Sequence, residues 1–499
     1  MKKFSSALIW LTVSEVIFNI AAYVVHSIAG RVLGPADYGR YGLVVTLTTM
    51  VIVLIGNGIP TTMSKYISEV IEKNPKNISA IKKKAGFLQV ILIGGVTVLF
   101  FFLAPVIAWA LRDPSLTPLF QLSAGIIPAF AAASFYHHYF TGLHLFKLQA
   151  IVKIVRSFAR VVFIALAAIF FGLHGAVGGY VLAPLFTFGV AILIDEFYVK
   201  RKLGYGKKDE THDFDFPAKT ILAYAGPLTL FLVFYELLLT IDLYFVKALL
   251  QDDYATGLYN AAITVGRIPY YLFAALAMIM LPAISKSTAE RNTKETTSLV
   301  DKALRLMTLL LFPMITLLIA YASQILHFFY GSRYIGAEQS MSIFALGVAF
   351  LTVFYVLSFA LNGAGLVRIP MKLAFFGFLA MVPLNFLLIP SFGITGAALA
   401  ATITALLIMI AILVATERHF NVRLPLRTIG SSLTSALIIA LLARLFPHGA
   451  ISFLFSGTML FFSYFAFLKL FGELRPSDWE PFAKLFRVKS TTKKNLDTF

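Results

Sequence analysis

The fold is decided by a short stretch that occurs twice in the chain: FGLHGA at residues 171–176 and FGITGA at residues 392–397. An Asp-Tyr pair also occurs near the start of each half, at residues 37–38 and again at 253–254. The order and approximate spacing of these elements are the same in both halves. Because recurring segments of this kind mark pseudo-symmetric folds, the sequence predicts two related structural halves.

Composition identifies the medium in which these halves fold. Of the 499 residues, 59% are hydrophobic and 13% charged, and the mean hydropathy is +0.84. Soluble domains carry about 25% charged residues, and one helical bilayer crossing needs roughly 20 apolar residues. The chain therefore predicts an all-α polytopic membrane protein with about fourteen transmembrane helices. Soluble enzymes are excluded, and the absence of cysteine excludes disulfide scaffolds and thiolate metal sites.

The predicted spans fall into two sets of six, which gives two pseudo-symmetric six-helix lobes in the same orientation because six is even. Two further spans follow them. The predicted boundaries are an N-terminal lobe at 1–200, a cytoplasmic inter-lobe loop at 201–218, a C-terminal lobe at 219–417, two additional helices at 418–472 and a basic cytoplasmic tail at 473–499.

The basic residues indicate the orientation of the chain. With fourteen spans, 35 of the 42 lysines and arginines fall on one set of faces and seven on the other. Basic residues mark the cytoplasmic side of short loops, so both termini are predicted inside the cell, in a multi-pass protein of the cytoplasmic membrane. The net charge of +18 then faces the cytoplasm and anionic headgroups. Membrane lipids are expected partners and nucleic acid is not.

The junction after the first span resembles a known family. The stretch RVLGPADYGRYG at residues 31–42 resembles the signature of the polysaccharide transporter family, whose members are Wzx-type lipid-linked oligosaccharide flippases of the multidrug/oligosaccharidyl-lipid/polysaccharide exporter superfamily. Two further stretches resemble junctions of that family: the one from Asp242 through Asp253-Tyr254 and residues 257–262 to Arg267, and the one at 385–398. The resemblance covers most of residues 1–420. It implies two lobes in a V, alternating access, and movement of a polyprenyl- or dolichyl-diphosphate-linked oligosaccharide to the outer leaflet during surface polysaccharide or glycan biosynthesis.

Three alternatives remain open beside this interpretation. A lipid II-type peptidoglycan precursor flippase of the same superfamily also has fourteen spans. A multidrug or organic-cation antiporter would have an acidic cavity and twelve spans. A membrane enzyme would need a sizeable outer loop, whereas the longest predicted outer connection, at residues 30–40, has about eleven residues. We therefore expect a transporter without a cofactor that is coupled to H⁺ or Na⁺. It is expected to function as a monomer, with glycan-assembly enzymes as partners.

Deep basic residues are the predicted substrate contacts. Lys153, Arg156 and Arg160 follow one another at i, i+3 and i+7, which places them on one helical face. Arg267 is predicted near the middle of the eighth span. A charge at this depth costs at least about 2.5–3.5 kcal/mol, and guanidinium groups bind phosphates bidentately. These four residues, with Asn19 on the polar face of the first span, are predicted to bind the diphosphate-sugar head.

Three carboxylates within predicted spans are candidates for cation coupling: Glu15, Glu236 and Asp242. A carboxylate in a low-dielectric site can exchange a proton or hold a sodium ion. The competing interpretation is structural, because the same carboxylates could serve as ion-pair partners of the deep arginines.

No metal site is expected. His137, His138 and His144 lie close together in sequence, but adjacent residues on a helix point to different faces, and no carboxylate lies at i+4 from them. An interfacial role is predicted for these histidines.

Overall fold

The computed structural model describes residues 2–55, 58–71, 77–203, 218–422, 424–446, 449 and 451–474, and these residues contain helices and no strand. The α-helices are α1 (Lys2–Ile55), α2 (Gly58–Val70), α3 (Asn77–Ala110), α4 (Thr117–Ser123), α5 (Ile126–Gly142), α6 (Phe146–Ile194), α7 (Lys200–Leu203), α8 (Ala218–Leu250), α9 (Asp253–Gly266), α10 (Ile268–Ala289), α11 (Thr293–Ala320), α12 (Ala322–Tyr330), α13 (Glu338–Gly363), α14 (Arg368–Phe420), α15 (Leu426–Ala443) and α16 (Ser452–Leu470). Short 3₁₀-helices cover Pro114–Leu116 and Ser332–Ala337, and a π-helix covers Asp195–Val199.

The described residues contain helices for fourteen crossings, which confirms the predicted all-α membrane fold. Ten helical segments are long and apolar enough to cross a membrane. Three of them, within α1, α6 and α14, are pairs of helices joined at a single non-helical glycine. The 33-residue helix α8 supplies the remaining crossing.

The repeated stretch has the same backbone in both copies. Gly172 has φ 58° and ψ −138°, and Gly393 has φ 57° and ψ −138°. Residues with a Cβ atom rarely adopt a positive φ, so glycine is the residue suited to both bends. The repeat therefore encodes one structural device twice: a sharp bend between two consecutive membrane-spanning helices.

The first outer connection is shorter than the sequence predicts. The expected connection of about eleven residues at 30–40 is a single bend at Gly34, with φ 74° and ψ 173°. Pro35 follows immediately, and proline is well accommodated at the start of a helix, where its missing N–H needs no partner. The second crossing therefore begins at Pro35, about two turns earlier than expected.

The chain divides into two compact units, each assembled from several segments. The first comprises Met1–Thr264, Phe329–Ser340 and Ala374–Ala401, and the second comprises Val265–Phe328, Met341–Leu373 and Thr402–Phe499. The predicted lobe boundaries stay a prediction. Most of the predicted inter-lobe loop (204–217) and most of the predicted tail (475–499) lie outside the described residues.

Glycines of the first unit bring two helices into backbone contact. A Cβ atom at Gly39 would lie 2.7 Å from the carbonyl oxygen of Asp253, and one at Gly257 would lie 1.7 Å from the carbonyl oxygen of Pro35. Close by, the Asn260 side chain donates a hydrogen bond of 3.2 Å to the carbonyl oxygen of Tyr38. Small residues permit this close approach of membrane helices, which explains why the motif after the first span is rich in glycine.

A buried carboxylate ties the last two helices of the second unit to α11. Glu473, whose side chain is 2% exposed, accepts hydrogen bonds from Arg305 Nη1 at 2.7 Å and from the Thr428 hydroxyl, and it lies 3.3 Å from Arg427 Nε. Burial alone would raise the pKa of Glu473, but these hydrogen bonds and the two arginine charges lower it overall, below its ordinary value of 4.5. The ionised form is therefore the one that holds the helices together.

We expect Glu473→Gln to destabilise the protein by about 1–3 kcal/mol at neutral pH, because a charged hydrogen-bond acceptor is lost. Since the folded-state pKa is lowered, the contribution of Glu473 is fully present above pH 4.5 and disappears as the pH falls through the folded-state value. Melting temperatures of the purified protein between pH 7 and pH 3.5 should therefore converge for the two forms. Glu69→Gln, at an exposed Lys65–Glu69 pair, should change little at any pH; a constant gap between Glu473→Gln and wild type would contradict the role of the charge.

Candidate functional site

Three basic side chains of α6 surround one aromatic ring in the first unit. The Phe18 ring of α1 has Lys153 Nζ 5.0 Å from its centroid, Arg156 Cζ at 5.6 Å and Arg160 Cζ at 5.8 Å. No glycine or proline interrupts α6 between Phe146 and Phe171, so the i, i+3, i+7 spacing is preserved as one face. The structure thus brings three of the predicted substrate contacts together. We call Lys153, Arg156 and Arg160 the cationic cluster.

Two more aromatic rings hold the arginines of the cationic cluster. Arg156 Cζ lies 4.0 Å from the centroid of Phe130 on α5, and Arg160 Cζ lies 5.3 Å from that of Tyr180, in the second half of α6. Each cation–π contact contributes about 0.5–2 kcal/mol. A ring that packs against the face of a guanidinium leaves its N–H groups, which point outward in the plane, available to an anion. No sequence pattern indicated Phe130 or Tyr180, since both contacts depend on tertiary packing.

The members of the cationic cluster differ in whether they form an ion pair with a carboxylate. Lys153 Nζ donates a hydrogen bond to Glu15, whose side chain is 55% exposed. Arg156 and Arg160 make no ion pair with a carboxylate among the described residues, and Arg160 Nε is buried without a hydrogen-bond partner there. The structural ion-pair interpretation therefore describes Lys153 and not the two arginines.

The remaining predicted contact on α1 is turned towards its own helix. The Asn19 side chain donates a hydrogen bond of 2.9 Å to the carbonyl oxygen of Glu15. This i, i+4 bond is internal to α1, and among the described residues Asn19 makes no hydrogen bond to the cationic cluster. Its predicted role in binding the sugar head stays a prediction.

Asp242 and Glu236 lie on α8 in different surroundings. Asp242 is fully buried and accepts hydrogen bonds from the Tyr259 hydroxyl at 2.5 Å and from the backbone N–H of Leu243 at 2.9 Å. Glu236 is half-buried, and its carbonyl oxygen accepts a bond of 2.7 Å from Thr240. Asp242 therefore links α8 to α9, while the coupling role predicted for both carboxylates stays a prediction.

Arg267 stands in a break between two helices. The sequence predicts the eighth span over 257–285 with a kink at Pro269, and the structure has a full break there, since α9 ends at Gly266 and α10 begins at Ile268. Pro269 has no N–H to continue the hydrogen-bond ladder towards Val265, which accounts for the break. Arg267 belongs to the second unit and is half-buried.

Four charged residues of the first unit form a network that sequence reasoning missed. Lys247 Nζ lies 2.7 Å from Asp113 Oδ2 and also contacts Asp253, and Arg40 Nε lies 2.6 Å from Asp253 Oδ2. Burial alone would raise the pKa of Asp113, but hydrogen bonds from Lys247 and Ser115 and the charges of Lys247 and Arg40 lower it overall. The network joins α1, α8, α9 and the turn before α4. The sequence repeat pointed to part of this network, since it aligned the Asp-Tyr pair at 253–254 with the pair at 37–38.

The second unit contains an apolar cavity of about 850 Å³. Helices α11, α13, α14 and α15 line it, with Leu304, Met307, Phe350 and Leu433 among the lining side chains, and Arg444 is the one charged residue in this lining. Such a surface can accommodate an aliphatic chain and offers almost nothing to a polar ligand.

Comparisons with known proteins identify the family to which these features correspond. The model of the family described as "Polysaccharide biosynthesis protein" matches residues 6–288, and the MatE model matches residues 227–387. A membrane protein of Methanocaldococcus jannaschii described as uncharacterized is 24% identical over 78% of this chain and 79% of its own length. The fold is similar to that of the lipid II flippase MurJ in an inward closed conformation, with TM-score 0.70 and 16% identity over 93% of this chain and 98% of that one. It is also similar to an inward-facing multidrug resistance MATE family transporter, with TM-score 0.67 and 14% identity over 83% of this chain and 98% of that one.

Proposed function

Since the chain belongs to the polysaccharide biosynthesis protein family, a family of membrane transporters and flippases, we propose that it flips a polyprenyl- or dolichyl-diphosphate-linked oligosaccharide. In this proposal the substrate moves from the cytoplasmic to the outer leaflet of the cytoplasmic membrane by alternating access. The protein acts as a monomer that receives its substrate from glycan-assembly enzymes.

The observation that carries the proposal is that Arg156 and Arg160 contact aromatic rings but form no ion pair with a carboxylate in the part of the chain that the structure describes. Both guanidinium groups are held by aromatic rings, and neither is neutralised by a carboxylate among the described residues. A diphosphate is the complementary ligand, because it presents paired anionic oxygens to the fork of N–H donors. The same cluster would repel an organic cation, which disfavours the multidrug antiporter alternative.

The apolar cavity of the second unit is a further argument that the substrate carries a lipid. A lipid-linked oligosaccharide has an anionic head and a long aliphatic tail, and the described residues offer the cationic cluster to the first and this apolar lining to the second. MurJ is a lipid II flippase, so a lipid II-type peptidoglycan precursor is the second candidate substrate.

For coupling, we propose that the Lys153–Glu15 ion pair links substrate binding to H⁺ or Na⁺ binding. A diphosphate that recruits Lys153 would compete with Glu15 for the ammonium group. The released carboxylate would then accept a cation, because it has lost its counter-charge. Glu236 and Asp242 are the other candidates for this role.

The proposal is tested by leaflet movement in proteoliposomes that contain the full chain. A fluorescent polyprenyl-diphosphate sugar, a lipid II analogue of matched tail length and an ethidium-type cation serve as parallel cargoes. We expect the polyprenyl-diphosphate sugar to cross faster than the lipid II analogue and the cation to remain in place. Preferential movement of lipid II would select the second candidate, and movement of the cation alone would overturn the proposal.

A further inference from the structure

A cavity of about 1430 Å³ in the second unit lies around the turn between α10 and α11. Its lining changes from apolar to polar along α10, from Leu276 and Ile279 to Ser287. Leu276 and Ser287 are eleven residues apart, roughly 16 Å along a helix at 1.5 Å per residue. The cavity therefore has an apolar end and a polar end that are well separated.

The polar end carries an excess of positive charge. Arg291, Lys294, Lys302 and Arg305 line the cavity, and Asp301 is the one acidic residue in this lining. Arg305 is engaged by Glu473, whereas Arg291, Lys294 and Lys302 have exposed side chains.

The first turn of α11 carries one basic and one acidic side chain, Lys294 and Glu295, and the Asn292 side chain accepts a hydrogen bond of 3.1 Å from the Glu295 N–H. Asn292, Thr293 and Lys294 line the cavity at the N-terminus of this 28-residue helix. The backbone N–H groups and the helix dipole favour an anion at such a position. Because Glu295 and the Asn292 cap already occupy this helix end, the positive excess of the polar end comes from the side chains of Arg291, Lys294 and Lys302.

The repeat shows why the second half has room for a cavity here. At the offset of 221 residues, Ala364 corresponds to Leu143 and Ala360 corresponds to Tyr139. Leu143 and Tyr139 are buried in a hydrophobic core cluster of the first unit, whereas Ala364 lines the cavity of the second. The replacement of leucine by alanine at position 364 leaves volume that the first half fills, whereas Ala360 is fully buried and lies outside the lining.

We propose that this cavity binds an anionic phospholipid of the cytoplasmic leaflet, at a site separate from the transport site. The phosphodiester would lie among Arg291, Lys294 and Lys302, and one acyl chain would follow the wall formed by Leu276 and Ile279. A lipid fits better than free phosphate because the lining of the cavity continues from its basic end to the apolar side chains of Leu276, Ile279 and Leu309. The turn lies on the face predicted to be cytoplasmic, where anionic headgroups attract basic residues.

Native mass spectrometry of the delipidated full chain tests this site. Phosphatidylglycerol and phosphatidylcholine with identical acyl chains are titrated separately, and we expect one tightly held phosphatidylglycerol per protein. Lys294→Gln with Lys302→Gln should bind it roughly 30-fold more weakly, since each basic residue near an anionic headgroup contributes about 1 kcal/mol. The matched control is Lys65→Gln with Lys286→Gln, two exposed lysines outside the cavity, which should bind like wild type.

A second variant tests the cavity without a change of charge. Ala364→Leu restores the side chain present in the first half and should weaken phosphatidylglycerol binding at least fivefold while the melting temperature of the lipid-free protein is maintained. Arg156→Gln with Arg160→Gln should leave phospholipid binding unchanged, so that failure here and failure of the proposed flippase function are distinguishable.

Three outcomes would overturn the proposal. Equal losses in the two lysine pairs would indicate general surface attraction, and equal binding of the two phospholipids would remove the anion requirement. Competition by glycerol phosphate as effective as that by the lipid would show that the apolar wall contributes nothing.

Discussion

Replacing Arg156 and Arg160 together by glutamine should reduce transport of a polyprenyl-diphosphate sugar by at least a hundredfold. Each guanidinium–phosphate contact is a charge-assisted hydrogen bond that contributes roughly 1.5–3 kcal/mol, and loss of about 2.7 kcal/mol in total already corresponds to a hundredfold effect. The measurement is the initial rate of leaflet exchange in proteoliposomes at equal protein density. Melting temperatures of both forms show whether the variant is folded.

The control variants separate geometry from charge. Arg156→Lys with Arg160→Lys keeps both charges but loses the planar fork, so we expect a partial recovery relative to the glutamine pair. Arg201→Gln with Arg418→Gln removes two exposed arginines outside the cluster and should transport like wild type. A glutamine pair at 156 and 160 that transports normally while remaining folded would exclude the cationic cluster as the diphosphate site.

The sequence was sufficient to predict features that depend on local periodicity. The number of crossings follows from the apolar length, and the shared face of Lys153, Arg156 and Arg160 follows from 3.6 residues per turn. The repeated FG dipeptide also predicted a shared structure, which the structure places at matching bends at Gly172 and Gly393.

Features that depend on contacts between distant segments could not be predicted in this way. Phe18 reaches the cationic cluster only because α1 packs against α6, and no spacing within one helix encodes that contact. Pro269 indicated a kink within the eighth span, but the apolar pattern continues through this point and did not show that one helix ends at Gly266 and another begins at Ile268. The network around Lys247 joins four separate segments, so its ion pairs become visible only when the helices are assembled.

Gly257→Ala is expected to have the largest effect on stability. Its Cβ atom would lie 1.7 Å from the carbonyl oxygen and 2.5 Å from the carbonyl carbon of Pro35, and backbone atoms cannot rotate away as a side chain can. The two helices must separate, which loses the surrounding packing and the Asn260 bond to Tyr38. Overpacking usually costs about 1–3 kcal/mol, occasionally more; because the obstacle is backbone, we expect about 3 kcal/mol or more here.

Alanine substitutions at three glycines test whether the loss of stability depends on how close the added Cβ atom lies to neighbouring backbone atoms. A Cβ atom at Gly39 would lie 2.7 Å from the nearest backbone oxygen, and one at Gly178 would meet nothing within 4 Å. Gly39→Ala should therefore cost less than Gly257→Ala, while Gly178→Ala should be neutral or slightly stabilising, since alanine is the better helix former. Melting temperature and the yield of monodisperse protein should decrease in the order Gly178, Gly39, Gly257. If all three alanine variants behaved alike, the close approach of Gly257 to Pro35 would not be what holds these helices together, and the glycine-rich motif after the first span would need another explanation.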